Sequence, residues 1–236
     1  MTNKTDSDRL GVYASISVSL SAIVSLATAI LTPPISGPFC KGRCIDYPYT
    51  TILTRFPRDY YWMYPAIIMT VLFVILMVCV HHHASLEKKI FSQIGLSFSI
   101  ISATALILDY FIQLSVIQPS IAKGESDGIS ILTQYNPHGL FIALEEIGYL
   151  MMSLAFIFIV PAFSKTLKIE KAIRVVLLIS GLMTMVAFIF ISLFYGINRE
   201  YRFEVVVITI NWTTLIISGI LTGKMFMSKD QPYDYN

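Results

Sequence analysis

Residues 61–80 read YWMYPAIIMTVLFVILMVCV, twenty positions without an acid, an amide or a base. A helix through lipid needs roughly 20 such residues, because the hydrocarbon layer is about 30 Å thick and each residue rises about 1.5 Å. Five further predominantly apolar windows lie on either side: 11–32, 91–118, 137–163, 172–196 and 203–227. The chain of 236 residues is 55% hydrophobic and 14% charged, whereas soluble domains carry about a quarter charged residues. Its composition excludes a disordered chain, a collagen-like repeat and a disulfide-dense mini-protein, and a net charge of +2 offers nucleic acid no basic footprint. The expected fold is all-α. It is a polytopic transmembrane helical bundle of six spans, one domain over residues 1–236, placed in the cell (plasma) membrane.

Pro33-Pro34, Pro119 and Pro137 fall at the ends of windows, where proline terminates or begins a helix. No glycine or proline is read as breaking the middle of a span. The first window is diluted by Ser15, Ser17, Ser19, Ser21 and Ser25. A cleaved leader ending at Ala27-Thr28-Ala29 is the rival reading there. The absence of a compact Leu-rich core, and Asp6 and Asp8 beside Lys4 and Arg9, favour a retained helix.

Lysine and arginine in the short loops set orientation. Ten fall on the side of the termini: Lys4, Arg9, Lys88, Lys89, Lys165, Lys168, Lys171, Arg174, Lys224 and Lys229. Seven fall opposite: Lys41, Arg43, Arg55, Arg58, Lys123, Arg199 and Arg202. The balance puts both termini in the cytoplasm. Cys40 and Cys44 then share the longest outer loop, where a disulfide is open to them if the turn at Gly42 allows it. Two free thiols are the alternative.

Three ionisable groups lie in the cores of the apolar windows: Asp109, Glu145 and Glu146. Charge among lipid tails is costly, a few kcal/mol each on insertion scales, so each asks for an explanation. Counted from the expected span ends, all three lie roughly 13 Å below the outer surface, level with Asn211 and Trp212 of the sixth span. Gln113 falls one helical turn above Asp109, and Tyr149 one turn below Glu145. Three spans thus put their most polar residues in one slab. The expectation is an outward-opening pocket lined by Asp109, Gln113, Glu145 or Glu146, Tyr149 and Asn211, with Trp212 beside it. Structural bonding between helices is the competing account. Glu145 and Glu146 point about 100° apart, so they cannot both occupy its centre. Carboxylates clustered in low dielectric repel, and one of them is expected to hold a proton.

Two outer segments, Arg55-Phe56-Pro57-Arg58-Asp59-Tyr60-Tyr61-Trp62 and Asn198-Arg199-Glu200-Tyr201-Arg202-Phe203-Glu204, interleave arginines with acids and aromatics. Arg55, Arg58, Arg199 and Arg202, with His138, are candidates for the mouth of the pocket. Internal ion pairs with Asp59, Glu200 and Glu204 account for the arginines more economically than substrate binding does. Tyr60, Tyr61 and Trp62 read as headgroup anchors. Asn136 and Pro137 read as the cap and first turn of the fourth span, ordering a lid. His81-His82-His83 point in three directions on a helix and read as a solvated turn rather than a metal site. Gly219-Ile220-Leu221-Thr222-Gly223 fits a small-xxx-small packing motif. No metal or cofactor is expected. There is no phosphate-binding glycine loop, nucleophile elbow or zinc-protease motif.

The block from Arg55 through Met63-Tyr64-Pro65 resembles a family of prokaryotic polytopic membrane proteins without an assigned activity. So do residues 134–139, Leu144-Glu145-Glu146-Ile147-Gly148-Tyr149, and the run from Tyr195-Gly196-Ile197 to Glu204. The resemblance covers most of the chain, implies the span count, and carries no catalytic residue over. Buried acids beside an indole are also similar in style to the emopamil-binding sterol isomerases, at the level of fold alone. The expected function is binding or transport of a small cationic or amphipathic solute at the carboxylate pocket, with proton coupling open to it. A membrane enzyme acting on a lipid by carboxylate acid–base chemistry, and an accessory or sensor protein, are the alternatives. The expected partners are the bilayer and a lipid or small-molecule ligand, with a homo-oligomer left open and no nucleic acid.

Overall fold

The computed structural model describes residues 6–228, so Lys4 and Lys229, counted above for orientation, lie outside them. Eight α-helices and no strand occur among the described residues. They are α1 (Asp6–Ile30), α2 (Met63–His83), α3 (Lys89–Ile112), α4 (Gln118–Ala122), α5 (Ile129–Leu132), α6 (Leu140–Ile159), α7 (Lys168–Tyr195) and α8 (Tyr201–Met227). Six helical segments are long and apolar enough to cross a membrane. Each long helix packs on the next in the order α1, α2, α3, α6, α7, α8, and α8 returns to α1, which closes a ring. α6 also touches α8 across it.

The serines of α1 have a structural use. Gly11, Ala14, Ser15, Val18, Ser19, Ala22 and Ser25 recur at helical spacing and form its buried face. Ser15 Oγ and Thr222 Oγ1 are hydrogen-bonded at 3.0 Å, and Ser19 Oγ donates to the Ile216 carbonyl at 3.1 Å. The hydroxyls find partners across the helix pair, and small side chains let the two backbones close. Gly219 is the closest point. A Cβ there would collide with Ser19 Oγ and stand 2.7 Å from the Ser15 carbonyl oxygen. Gly148 serves the α3–α6 pair in the same way, since a Cβ would lie 2.6 Å from Leu106 Cγ. The apolar face of α7 is the least covered: Phe190, Leu193 and Phe194 are all exposed.

α3 does not stop at residue 118. It passes through a π-helical turn (Gln113–Ile117) into α4, which packs on a 3-10 turn, Thr50–Arg55. Pro119 explains the widened turn: it has no N–H for the residue 115 carbonyl and its ring crowds that carbonyl. α4 therefore rises into a cap built from the 31–62 and 123–139 loops. The fourth span begins later than expected, at Leu140 with Gly139 as N-cap. Asn136 does not cap it. Its Oδ1 accepts from the His138 N–H at 2.9 Å, its Nδ2 donates to the Ser130 carbonyl at 2.6 Å, and Pro137 lies in a turn closed by the Gly139 N–H on the Asn136 carbonyl.

The cap is ordered by polar ties. Gln113 Nε2 donates to the Leu132 carbonyl at 2.6 Å, and its Oε1 accepts from the Gln134 N–H at 3.0 Å. Tyr201 O–H reaches the Gln134 carbonyl at 3.1 Å and Ser36 Oγ at 2.8 Å. Tyr135 O–H donates to Asp59 Oδ2 at 3.4 Å. Burial, with Tyr60 and Asp59 beside it, pushes the Tyr135 phenol up, so it stays a donor. Cys40 and Cys44 are joined in this cap. At the other end, the three histidines form the last turn of α2, with His82 exposed and His81 and His83 partly buried. His81 Nδ1 lies 2.8 Å from Ser92 Oγ, and His83 Nε2 lies 3.9 Å from Glu170.

Candidate functional site

The acids meet just beneath the cap. Asp109 and Glu145 are level although Asp109 is thirteen residues before Ala122 and Glu145 only five after Leu140. The rise of α4 into the cap makes up the difference. Asp109, Glu145 and Glu146 are all buried inside the bundle. A fourth acid joins them: Glu204, in the first turn of α8, places its carboxyl at hydrogen-bonding reach of Glu145 and within electrostatic reach of Glu146 and Asp109.

The hydrogen bonds around Glu145 have one possible direction. Trp212 Nε1, which can only donate, gives its proton to Tyr149 Oη at 2.8 Å. Tyr110 Oη donates to Glu145 Oε1 at 2.6 Å. The 2.9 Å bond between the two phenols must therefore run from Tyr149 to Tyr110. Three donors in series end on one carboxylate oxygen, which favours negative charge there. Glu204 faces that carboxylate with a second carboxyl, and two acceptors in contact need a proton between them. A proton shared between Glu145 and Glu204 satisfies both carboxyls.

Glu146 points elsewhere. It is ion-paired with Arg199 Nη2, and Arg199 also donates to Ser192 Oγ at 3.1 Å and lies over the rings of Phe188 and Phe203. Among the described residues Arg199 is the one basic side chain that contacts this layer. Asp109 Oδ2, Glu145 Oε2 and Glu146 Oε1 are buried without a donor. Four carboxyl groups and one guanidinium thus share the layer.

Two cavities approach it. One, of about 430 Å³, lies between the cap ends of α1 and α8, with Glu204, Trp212, Trp62, Tyr135 and Tyr201 among its lining. The other, of about 330 Å³, lies between residues 137–143 and 196–200 and reaches Glu146, Arg199, His138 and Glu200. Of the residues expected to line one pocket, Glu146 lines the smaller cavity and Trp212 the larger, while Asp109, Glu145 and Tyr149 are buried and line neither. Gln113 is turned into the cap. Asn211 belongs to a separate cluster, with Nδ2 on Ser153 Oγ at 3.0 Å and Ser153 on Thr184 Oγ1 at 3.0 Å, bonding α6, α7 and α8.

The mouth candidates divide similarly. Arg58 pairs with Asp59 at 2.6 Å and Arg202 with Glu200 at 3.0 Å, while His138 lies 3.8 Å from Glu200. Arg55 ends its 3-10 turn, half-buried in the cap. Tyr60 and Trp62 are buried and so do not anchor headgroups, in contrast to exposed Tyr61. Trp62 instead packs on Tyr110 at 5.2 Å and Trp212 at 6.2 Å between ring centroids. Sequence reasoning missed Glu204, Tyr110 and Trp62 as site residues. A signal existed for the first: Glu204, Ile208 and Trp212 are spaced by four and share one face of α8. No family model, curated protein or solved structure matches the chain.

Proposed function

We propose that the chain is an integral protein of the plasma membrane, with the cap outside and both termini in the cytoplasm, that binds or transports a cationic amphipathic solute at Glu204. The observation that carries this reading is the pairing of an acid-rich, cation-poor layer with an apolar cavity whose walls are aromatic. Carboxylate and ring faces together suit an ammonium group, since a cation over Trp or Tyr gains roughly 0.5–2 kcal/mol and more when desolvated. Arrival of the cation displaces a proton shared between Glu204 and Glu145. The other groups bearing on that proton are Asp109 and Tyr110 from α3, Glu146 and Tyr149 from α6, and Arg199 from the α7–α8 turn.

The chain has two tryptophans and both line the cavity, so intrinsic fluorescence reports on it directly. With protein in nanodiscs, decyltrimethylammonium is expected to shift the emission saturably and to release a proton, read as a binding heat that varies with the buffer's ionisation enthalpy. Glu204→Gln is expected to weaken binding by about tenfold or more, the loss of one charge-assisted contact at ~1.5–3 kcal/mol. Equal binding of decyl sulfate, or an unchanged response in Glu204→Gln, rejects the reading.

The Cys40–Cys44 bond supports the orientation, because disulfides persist in oxidising compartments. In intact cells a membrane-impermeant maleimide is expected to label these two thiols only after a reductant is added. Labelling that requires permeabilisation reverses the orientation.

A further inference from the structure

The larger cavity has a roof, a charged back and an open flank. Its roof is tied shut by Ser36, Tyr201 and Gln134 through the hydrogen bonds given above. Its back holds Glu204 and Trp212. Its flank is the gap between α1 and α8, which are clamped together at Ser19 and Gly219 but stand apart towards the cap, where Ala29 and Ile30 face Val205 and Thr209. Ile30 is 74% exposed and Val205 46%, and both lie on helices apolar enough to sit in hydrocarbon. Thr209 spends its hydroxyl on the Val205 carbonyl at 2.7 Å, so its polar group is already satisfied within α8. The open side is therefore apolar and faces lipid, while the charge it leads to sits behind aromatic rings.

We propose that this flank is a lateral portal and that the ligand is a single-chain alkylammonium amphipath taken from the bilayer, its ammonium at Glu204 and its chain lying between α1 and α8. The proposal rests on the cation-binding reading and adds the class of ligand and its route. A small hydrophilic cation has no favourable path through this flank, because it would have to leave water before meeting a counter-charge. A hydrocarbon without a charge has no reason to settle beside Glu204. A cavity of about 430 Å³ falls within the range of small-molecule sites.

The test uses the two tryptophans again. Trp212 is fully buried and Trp62 nearly so, hence lipid chains come near them by way of the cavity. In nanodiscs of phosphatidylcholine brominated along its acyl chains, tryptophan emission is expected to be quenched relative to unbrominated discs. Dodecyltrimethylammonium is expected to relieve the quenching and tetramethylammonium is not. Filling the rim with Ala29→Phe and Thr209→Phe is expected to abolish quenching while the melting temperature holds. Absence of quenching in the native chain, or equal relief by tetramethylammonium, overturns the portal and the ligand class. Quenching that no ammonium relieves overturns the cation-binding reading instead.

Discussion

Gly219→Ala is expected to lower the stability of the bundle by about 2 kcal/mol, although alanine is the better helix former. Overpacking a tight interface costs roughly 1–3 kcal/mol, while the helix-propensity gain of Ala over Gly returns about 1 at most. The overpacking term is at its upper end here because one of the atoms met is the Ser15 backbone oxygen, which cannot turn aside. Gly223, one turn further along the same stripe, provides the contrast. A Cβ there meets Ser15 Cβ at 3.5 Å, an ordinary contact. Gly223→Ala is therefore expected to leave the melting temperature unchanged or raise it. Thermal unfolding followed by tryptophan emission measures both. Equal behaviour of the two variants would mean that α1 and α8 are not clamped at Gly219.

Removing the guanidinium beneath the cap should have an effect of similar size. Arg199→Ala leaves the Glu146 carboxylate, 8% exposed, without a cation. Breaking a fully buried pair costs about 3–5 kcal/mol. Arg199 keeps 30% exposure, so about 2–3 kcal/mol is the expectation. Glu146→Gln should recover most of that loss in the double variant, because the amide needs no counter-charge. Non-additivity in this cycle is the signature of the pair. Additive losses would show that Arg199 acts through its stacking on Phe188 and Phe203 rather than through Glu146.

The six apolar segments were legible because a helix able to cross a membrane must be long and nearly free of charge, and both properties are written into consecutive residues. The meeting of Asp109 with Glu145 was legible for a related reason, since isolated acids in apolar helices must find one another or a cation. The height estimates were less secure. They assumed that every helix begins and ends at the surface, whereas α4 continues into the cap and α6 starts within it. Glu204 was read as a partner for the arginines beside it in sequence, yet Arg202 turns to Glu200 and Arg199 to Glu146. Which acid a loop arginine chooses depends on how the chain turns at Gly196 and Glu200, both at positive φ, and nothing local in the sequence records it. Trp62 looked like an anchor because it sits at a span end. The cap that covers it is built from distant loops.

The closure of the ring by α8 against α1 has a consequence for synthesis. α1 finds its second neighbour only when α8 has been made, so its serine face stays uncovered through the making of the helices between. The cavity is shaped by these same two helices, and Glu204 comes with the later one. A chain truncated before α8 would therefore lack both Glu204 and one wall of the cavity, and its serine face would stay open.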